Sequence, residues 1–351
     1  MDLVVGAAPG NPQAWDALVD ESPLPSPSLR SWWLEAWAER DAVRVVEVTD
    51  GGVLVGGLAV QVRRRHGLDR VELVGHPLAP DHCDVLALPG HEAAVTAAVA
   101  AWLGRGQSRI RLDGLRAGAL LAGGAVPNTV TSVLDEAPFE PLTGDFADYL
   151  AARSRNFRKN VSRFRRRFDD DGVEHVTAGP ADIDHHLLEL RRLHGAARGA
   201  DSSFLPYFDV FAAAARRGVQ RGEVLLHAAV DRSGRVLAIE AVFEVAGRLS
   251  TYQSGRDVSV ERGLDLSTVL LSRAIEAAVG RGCRELDMLR GAQTYKTSWA
   301  GRTRPVLTLH ASSGAAGSAV ERGVRSLRTT KRALTRAAGA VVSRPGPAAQ
   351  G

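Results

Sequence analysis

The sequence predicts a mixed α/β fold built twice in tandem. Three observations carry that expectation. A hairpin of apolar strands around an Asp/Gly turn occurs twice, each is followed by a helix of the same apolar spacing, and each helix leads through G-R-G into a strand ending in L-D-x-L-R. The chain has 351 residues, enough for two domains. Hydrophobic residues make up 45% and charged residues 24%, a globular composition rather than a disordered or collagen-like one.

The elements follow in order. Val43 to Val48, Asp50-Gly51-Gly52 and Val53 to Val62 read as strand, tight turn and strand, because Asp-Gly supplies the positive φ of a hairpin turn. Val95, Ala98, Val99, Trp102 and Leu103 share one helical face; Gly104-Arg105-Gly106 ends that helix and Leu112-Asp113-Gly114-Leu115-Arg116 follows. The second copy has Val224 to Val230, Asp231-Arg232-Ser233-Gly234 and Val236 to Val245. A strand from Arg248 to Ser254 comes next, then a helix with Leu271, Ala274, Ile275, Ala278 and Val279 on one face. Gly280-Arg281-Gly282 and Leu286-Asp287-Met288-Leu289-Arg290 complete it.

Between the copies, Phe146 to Leu150 and Phe157 to Phe168 read as helices. Phe157, Val161, Phe164 and Phe168 form an apolar stripe beneath arginines. Ile183 to Ala197 and Tyr207 to Arg216 are further helices, and one basic helix is expected around Val320 to Ala337. The expected division is an N-terminal module over 1–135, a C-terminal module over 136–310 and a basic, partly disordered tail over 311–351.

Charge is unevenly spread. Of 44 Lys plus Arg against 40 Asp plus Glu, eight cations and no acid fall between Arg153 and Arg167, and seven cations against one acid fall from Ser318 onward, so the remaining body is acidic. Such basic segments suit phosphate, nucleic acid or an anionic membrane surface, or form a solvated helix face. Few aromatics stand among these arginines to stack bases, which points away from nucleic acid. Cys83 and Cys283 are the only cysteines, so no four-ligand zinc site is expected. His185, His186 and His194 lack the i, i+4 spacing of a metalloprotease pair, and no metal is expected. The first Lys or Arg is Arg30, so no signal peptide is expected. The longest uncharged stretch, Ala117 to Leu134, holds glycines and a proline and does not suit a membrane span. The expectation is a cytoplasmic protein whose basic tail touches the inner membrane surface.

The second copy offers chemistry. After the strand, a loop through Arg262-Gly263 leads to a helix opening at Asp265-Leu266-Ser267-Thr268. Unpaired N–H groups at a helix start can hold a pyrophosphate, and a glycine lets it approach closely. Asp265 as an ordinary helix cap is the competing reading.

Arg273-Ala274-Ile275-Glu276, Gly282, Asp287, Arg290-Gly291-Ala292-Gln293-Thr294-Tyr295-Lys296 and Trp299 together resemble the pattern A-I…G…D-F-x-R-G-x-E-x-Y-K-x-x-W. That pattern belongs to GNAT-type acyltransferases of the CelD-like group. Arg155 to Arg167 resembles the group's k-x-R-x-N-x-R-R segment, with Asn156 or Asn160 as its asparagine. Asp81-His82-Cys83-Asp84-Val85-Leu86 resembles its D-Y-x-D-L-L, and Ser31-Trp32-Trp33 to Trp37 resembles its start. The likeness covers roughly residues 25 to 310 and is sharpest at Tyr295-Lys296. One departure stands out: members usually carry a glycine at the helix start, where this chain has Asp265-Leu266-Ser267.

The resemblance implies two tandem GNAT-like modules, related in fold to Fem-type peptidoglycan ligases, with the first degenerate and the second working. It implies acyl transfer from an acyl-CoA thioester to an amine on a small molecule, an amino sugar or a lipid-linked intermediate. Arg262, Gly263, Asp265, Leu266, Ser267 and Thr268 would bind the cofactor. Asp287 or Glu240 would take the amine's proton, Tyr295 would protonate the thiolate, and Lys296 would neutralise negative charge. Each has a structural alternative: Asp287 corresponds to Asp113 in the first copy, Glu240 suits an outward strand position, and Tyr295 and Lys296 suit packing and surface roles. A Fem-like ligase using charged tRNA and a scaffold without activity are the alternative functions.

Overall fold

The computed structural model describes residues 1–260 and 264–323, and structural statements concern these. In the first half, β1 (Asp2–Gly6) is followed by α1 (Pro12–Asp20), α2 (Ser31–Ala38), β2 (Val43–Asp50), β3 (Val53–Arg65) and β4 (Leu68–Leu73). A two-residue β5 (Leu86–Ala87), α3 (Glu92–Leu103), β6 (Ser108–Leu115) and β7 (Val130–Pro141) complete it. Then come α4 (Phe146–Ala151), α5 (Arg155–Asp170), β8 (Glu174–Thr177), α6 (Ile183–Arg198) and α7 (Phe208–Gln220). β9 (Val224–Val230), β10 (Val236–Val245), β11 (Arg248–Arg256), α8 (Leu266–Gly280), β12 (Glu285–Asp287), α9 (Thr294–Trp299) and β13 (Arg302–Ser313) follow.

The repeat read from the sequence is present and longer than expected. Strand, two helices, three antiparallel strands, helix and parallel strand occur as β1 to β6 and again as β8 to β12. Local chemistry explains the matching turns. Gly51 and Gly52 take positive φ in the first hairpin, and Asp231 Oδ1 accepts from Ser233 and Arg235 N–H in the second. In each G-R-G it is the second glycine, Gly106 and Gly282, that is left-handed.

The two halves share one sheet, ordered β1-β2-β3-β4-β6-β13-β7-β12-β11-β10-β9-β8. Each half hands its last strand to the other. β7 pairs with β12, while β13 returns from the far end of the chain to lie between β6 and β7. β7 therefore runs across position 135, and β13 uses residues 311–313, which the expected tail included. Residues 314–323 are helical, so the basic helix starts earlier than expected, and the rest of that segment lies outside the described residues.

One apolar core spans both halves, bringing Trp32, Trp33 and Trp37 of α2 against Phe211, Phe243 and Tyr252. A second core lies on the opposite side of β10 and β11, where α4, α5, α8 and α9 pack through Tyr149, Val161, Ile275 and Trp299. Ser154 caps α5 by accepting from Phe157 N–H, and the stripe Phe157, Val161, Phe164 and Phe168 faces inward as expected. Arg165 pairs with Glu276, and Asp169 lies 2.5 Å from Arg273, so α5 is pinned along α8. No helix among the described residues is long and apolar enough to cross a membrane, and no cluster there suits a metal ion.

Candidate functional site

β11 and β12 run parallel for three pairs only, Arg248↔Glu285, Leu249↔Leu286 and Ser250↔Asp287. Beyond them β11 continues to Arg256 while the other chain turns away through Leu289, whose φ is +54°, and Gly291. A bulge assists the parting: Ala241 faces Gln253 and Val242 faces Thr251, so Tyr252 is the extra residue and β11 bends there. The strand expected to end in Leu286-Asp287-Met288-Leu289-Arg290 is thus only Glu285–Asp287, and its early end opens a gap between the strands.

Glu240 stands in register with Ser254, four residues past the parting point. Its side chain is buried, contrary to the outward alternative, and has no hydrogen bond or ion pair among the described residues. Burial without compensation pushes its carboxyl up to about 8, so it holds a proton at neutral pH yet can be emptied just above it. Tyr295, at the first turn of α9, is largely exposed, and partial desolvation with the charge of Glu240 pushes its phenol above the usual value. Those two groups therefore sense one another across the opening.

Asp287 is differently placed. It is fully buried; burial alone would raise its pKa, but His82 and Arg248 outweigh that and hold the carboxyl well below the usual range. Arg248 Nη2 donates to Oδ2, His82 Nε2 lies 2.9 Å away, and Oδ1 accepts from Leu289 N–H at 2.8 Å. A carboxylate so engaged fixes the turn and is a poor proton acceptor, which favours its structural alternative. Lys296 is also committed. Its Nζ donates to the carbonyls of Arg290, at 2.6 Å, and Leu289, at 3.4 Å, and desolvation lowers its pKa. The same turn is gripped from the first half, where Asp81 accepts from Arg290 N–H at 2.8 Å and from Arg290 Nε at 2.5 Å.

At the far end of β11, a cleft of about 740 Å³ is lined by Arg163, Phe164, Arg166, Arg167 and Asp170 of α5, Arg256 of β11, and Leu264 and Asp265 at the start of α8. The arginine run and the helix start, read separately in the sequence, meet here. Asp265 caps α8: Oδ1 accepts from Thr268 N–H at 3.1 Å and Oδ2 from Thr268 Oγ1 at 2.7 Å. Leu266 is fully buried in the core and offers the cleft neither side chain nor backbone. The N–H of Ser267, at the half-buried second position of α8, has no partner within the helix and is the one left to meet an anion. Arg262 and Gly263 lie outside the described residues. A phosphate fits the arginines and this N–H group, while Asp265 works against it.

Nothing local in the sequence marks Arg163, Arg166 and Arg256 as neighbours of one cleft, or His82 and Arg248 as the partners of Asp287. The one sequence signal for the first-half loop is the resemblance of Asp81 to Leu86 to a family motif.

No curated protein sequence matches the chain. In overall structure it is similar to FemX, with 10% identity and a TM-score of 0.65 over 88% of this chain and 97% of that one. It is similar to L-PGS from Bacillus licheniformis, with 12% identity and a TM-score of 0.57 over 87% and 93%. A tandem GNAT protein from the clavulanic acid biosynthesis pathway has 16% identity and a TM-score of 0.50 over 90% and 99%. At such identities these likenesses concern fold. The family profile "Acetyltransferase (GNAT) domain" matches residues 155–297, the stretch that holds α5, the parted strands and the Tyr295-Lys296 motif. Residues 155–297 are accordingly a GNAT domain of the CelD-like family, carried in a chain with a tandem GNAT-like fold.

Proposed function

We propose that the chain transfers an acyl group from the thioester of a phosphopantetheine arm to an amine, in the gap between β11 and β12. GNAT membership implies acyl-CoA as donor. The observation that carries the reading is Glu240: a buried carboxyl with no polar partner, beside the opening, with its pKa raised to about 8. In the proposed step Glu240 takes the proton of the attacking amine, directly or through a water. The acyl carbon forms its bond to nitrogen and its bond to sulfur breaks. The departing thiolate takes a proton from Tyr295, whose raised pKa keeps the phenol protonated until then. Backbone N–H groups of β11 beyond Ser250, which no longer face β12, would stabilise the oxyanion. Arg163, Arg166 and Arg256 would hold phosphate in the cleft, helped by the N–H of Ser267 at the start of α8. Asp287 and Lys296 take positioning roles, fixing the turn that carries Tyr295.

The first module, through residue 135, would act as the wall of the site, and residues 136–310 would carry the reaction. The acceptor remains an amine on a small molecule, an amino sugar or a lipid-linked intermediate. The test is release of free thiol from acyl-CoA thioesters in the presence of pooled amines, with Glu240→Gln as control. Amine-dependent release lost in that variant supports the reading; release unchanged by it overturns the role of Glu240. A second reading, a Fem-like ligase with a charged-tRNA donor, draws on the arginines of the cleft. Amine acylation that needs aminoacyl-tRNA and no thioester would favour it.

A further inference from the structure

We propose that the donor arm is presented by an acidic carrier protein, which docks on the outer face of α5 while its phosphopantetheine enters the cleft. This rests on the acyl-transfer reading and names its donor. Arg155, Lys159, Arg163 and Arg166 are exposed and form no ion pair among the described residues. At about 100° per residue they fall within about an 80° arc, opposite Phe157, Val161, Phe164 and Phe168. The stripe they make is about 16 Å long at 1.5 Å per residue. It runs from solvent at Arg155 to the cleft at Arg163 and Arg166.

Two features separate this surface from one shaped for free CoA. First, the stripe extends beyond the cleft, where the charges of one small nucleotide would not reach its outer end at Arg155 and Lys159. Second, Asp265 places a carboxylate at the start of α8 and occupies Thr268 N–H and hydroxyl, where a pyrophosphate would otherwise bind. A carrier's arm brings a single phosphodiester to the cleft, and an acidic protein surface complements the remaining cations. Phe157, Val161, Phe164 and Phe168 pack beneath α5, and ion pairs from Arg165 to Glu276 and from Asp169 to Arg273 add contacts to α8, so the docking face and the cleft belong to one packed helix. Acyl transfer breaks the carbon–sulfur bond on the arm, forms the carbon–nitrogen bond on the acceptor and leaves the carrier with a free thiol.

The experiment measures binding of fluorescently labelled holo-acyl carrier protein to the full chain at low and high salt, and thiol release from the same acyl group on the carrier and on CoA. Carrier binding should weaken steeply with salt, and acyl-carrier should be used about tenfold more efficiently than acyl-CoA. The double variant Arg155→Glu with Lys159→Glu should raise the KM for acyl-carrier by about tenfold and shift that for acyl-CoA less than about twofold. Both positions are exposed, and a carboxylate near the start of α5 suits its dipole, so the variant should fold. Absence of carrier binding, equal effects on both donors, or a preference for free CoA overturns the proposal. Displacement of the carrier by anionic vesicles or single-stranded RNA at lower concentration than the carrier itself also overturns it, assigning the face to that partner. Carrier binding without thiol release from either donor would instead defeat the acyl-transfer reading and leave the docking face standing.

Discussion

The first half contains the same parallel strand pair as the second, β4 with β6, but its gap is filled. Cys83 bridges to Leu115, its N–H donates to Gly114 carbonyl at 2.9 Å, and Arg116 N–H returns to Cys83 carbonyl at 3.1 Å. Gly75, just past β4, abuts the indoles of Trp33 and Trp37. In the second half, β11 runs on past Ser250 with no such filler from β12. One strand arrangement can therefore be a wall or a pocket, depending on what the following loop inserts. The loop that fills the first gap also supplies Asp81 and His82 to steady the turn of the second, so the closed copy supports the open one.

The largest expected effect comes from removing the isolated carboxyl of Glu240. Glu240→Gln should lower kcat by about 100-fold or more, and the wild-type rate should rise with pH toward about 8, a rise the variant lacks. Stability should move the other way. Between the ordinary glutamate range and about 8, the folded chain keeps a proton the unfolded chain has lost. Rising pH then favours unfolding by about 1.4 kcal/mol per pH unit across that window, and Glu240→Gln should flatten the slope in urea titrations.

Next in size is the bridge between the copies. Asp287→Asn should cost about 3–5 kcal/mol in urea unfolding, because Arg248 and His82 would face a neutral partner in a buried site. The depressed pKa of Asp287 means that its contribution is present above the ordinary aspartate value and is lost as the medium acidifies toward the folded value. If Asn leaves stability unchanged while abolishing activity, Asp287 acts in the chemistry after all. Gly114→Ala probes the filler itself. Gly114 has φ +114°, and an added Cβ would fall 1.9 Å from Pro80 carbonyl oxygen, so a loss of about 2–3 kcal/mol is expected with the loop of residues 80–83 displaced. The smallest effect concerns the cleft. Asp265→Asn keeps a good cap for α8 but removes the charge, and the KM for acyl-CoA should fall by a few-fold, read from initial rates.

These contrasts show how far local sequence carries. The hairpin at Gly51-Gly52, the faces of α3 and α8, the amphipathic α5 and the Tyr295-Lys296 motif were legible because each depends on residues within one or two turns. Asp287 was legible as a strand-end acid, but its role was not: its partners lie 39 positions away at Arg248 and in the other half at His82. Glu240 sits in an apolar strand with no polar neighbour to announce it, and only the fold reveals that its isolation borders an opening. The exchange of β7 and β13 has no local signature at all, because either strand would suit either sheet edge.

That exchange constrains how the protein is made. Until translation has passed Ser313, β6 has no β13 beside it, and a nascent N-terminal half emerges with a bare strand margin. Synthesis must therefore run through β13 before the first half can close, so separately expressed halves should stick to other chains rather than fold as soluble units.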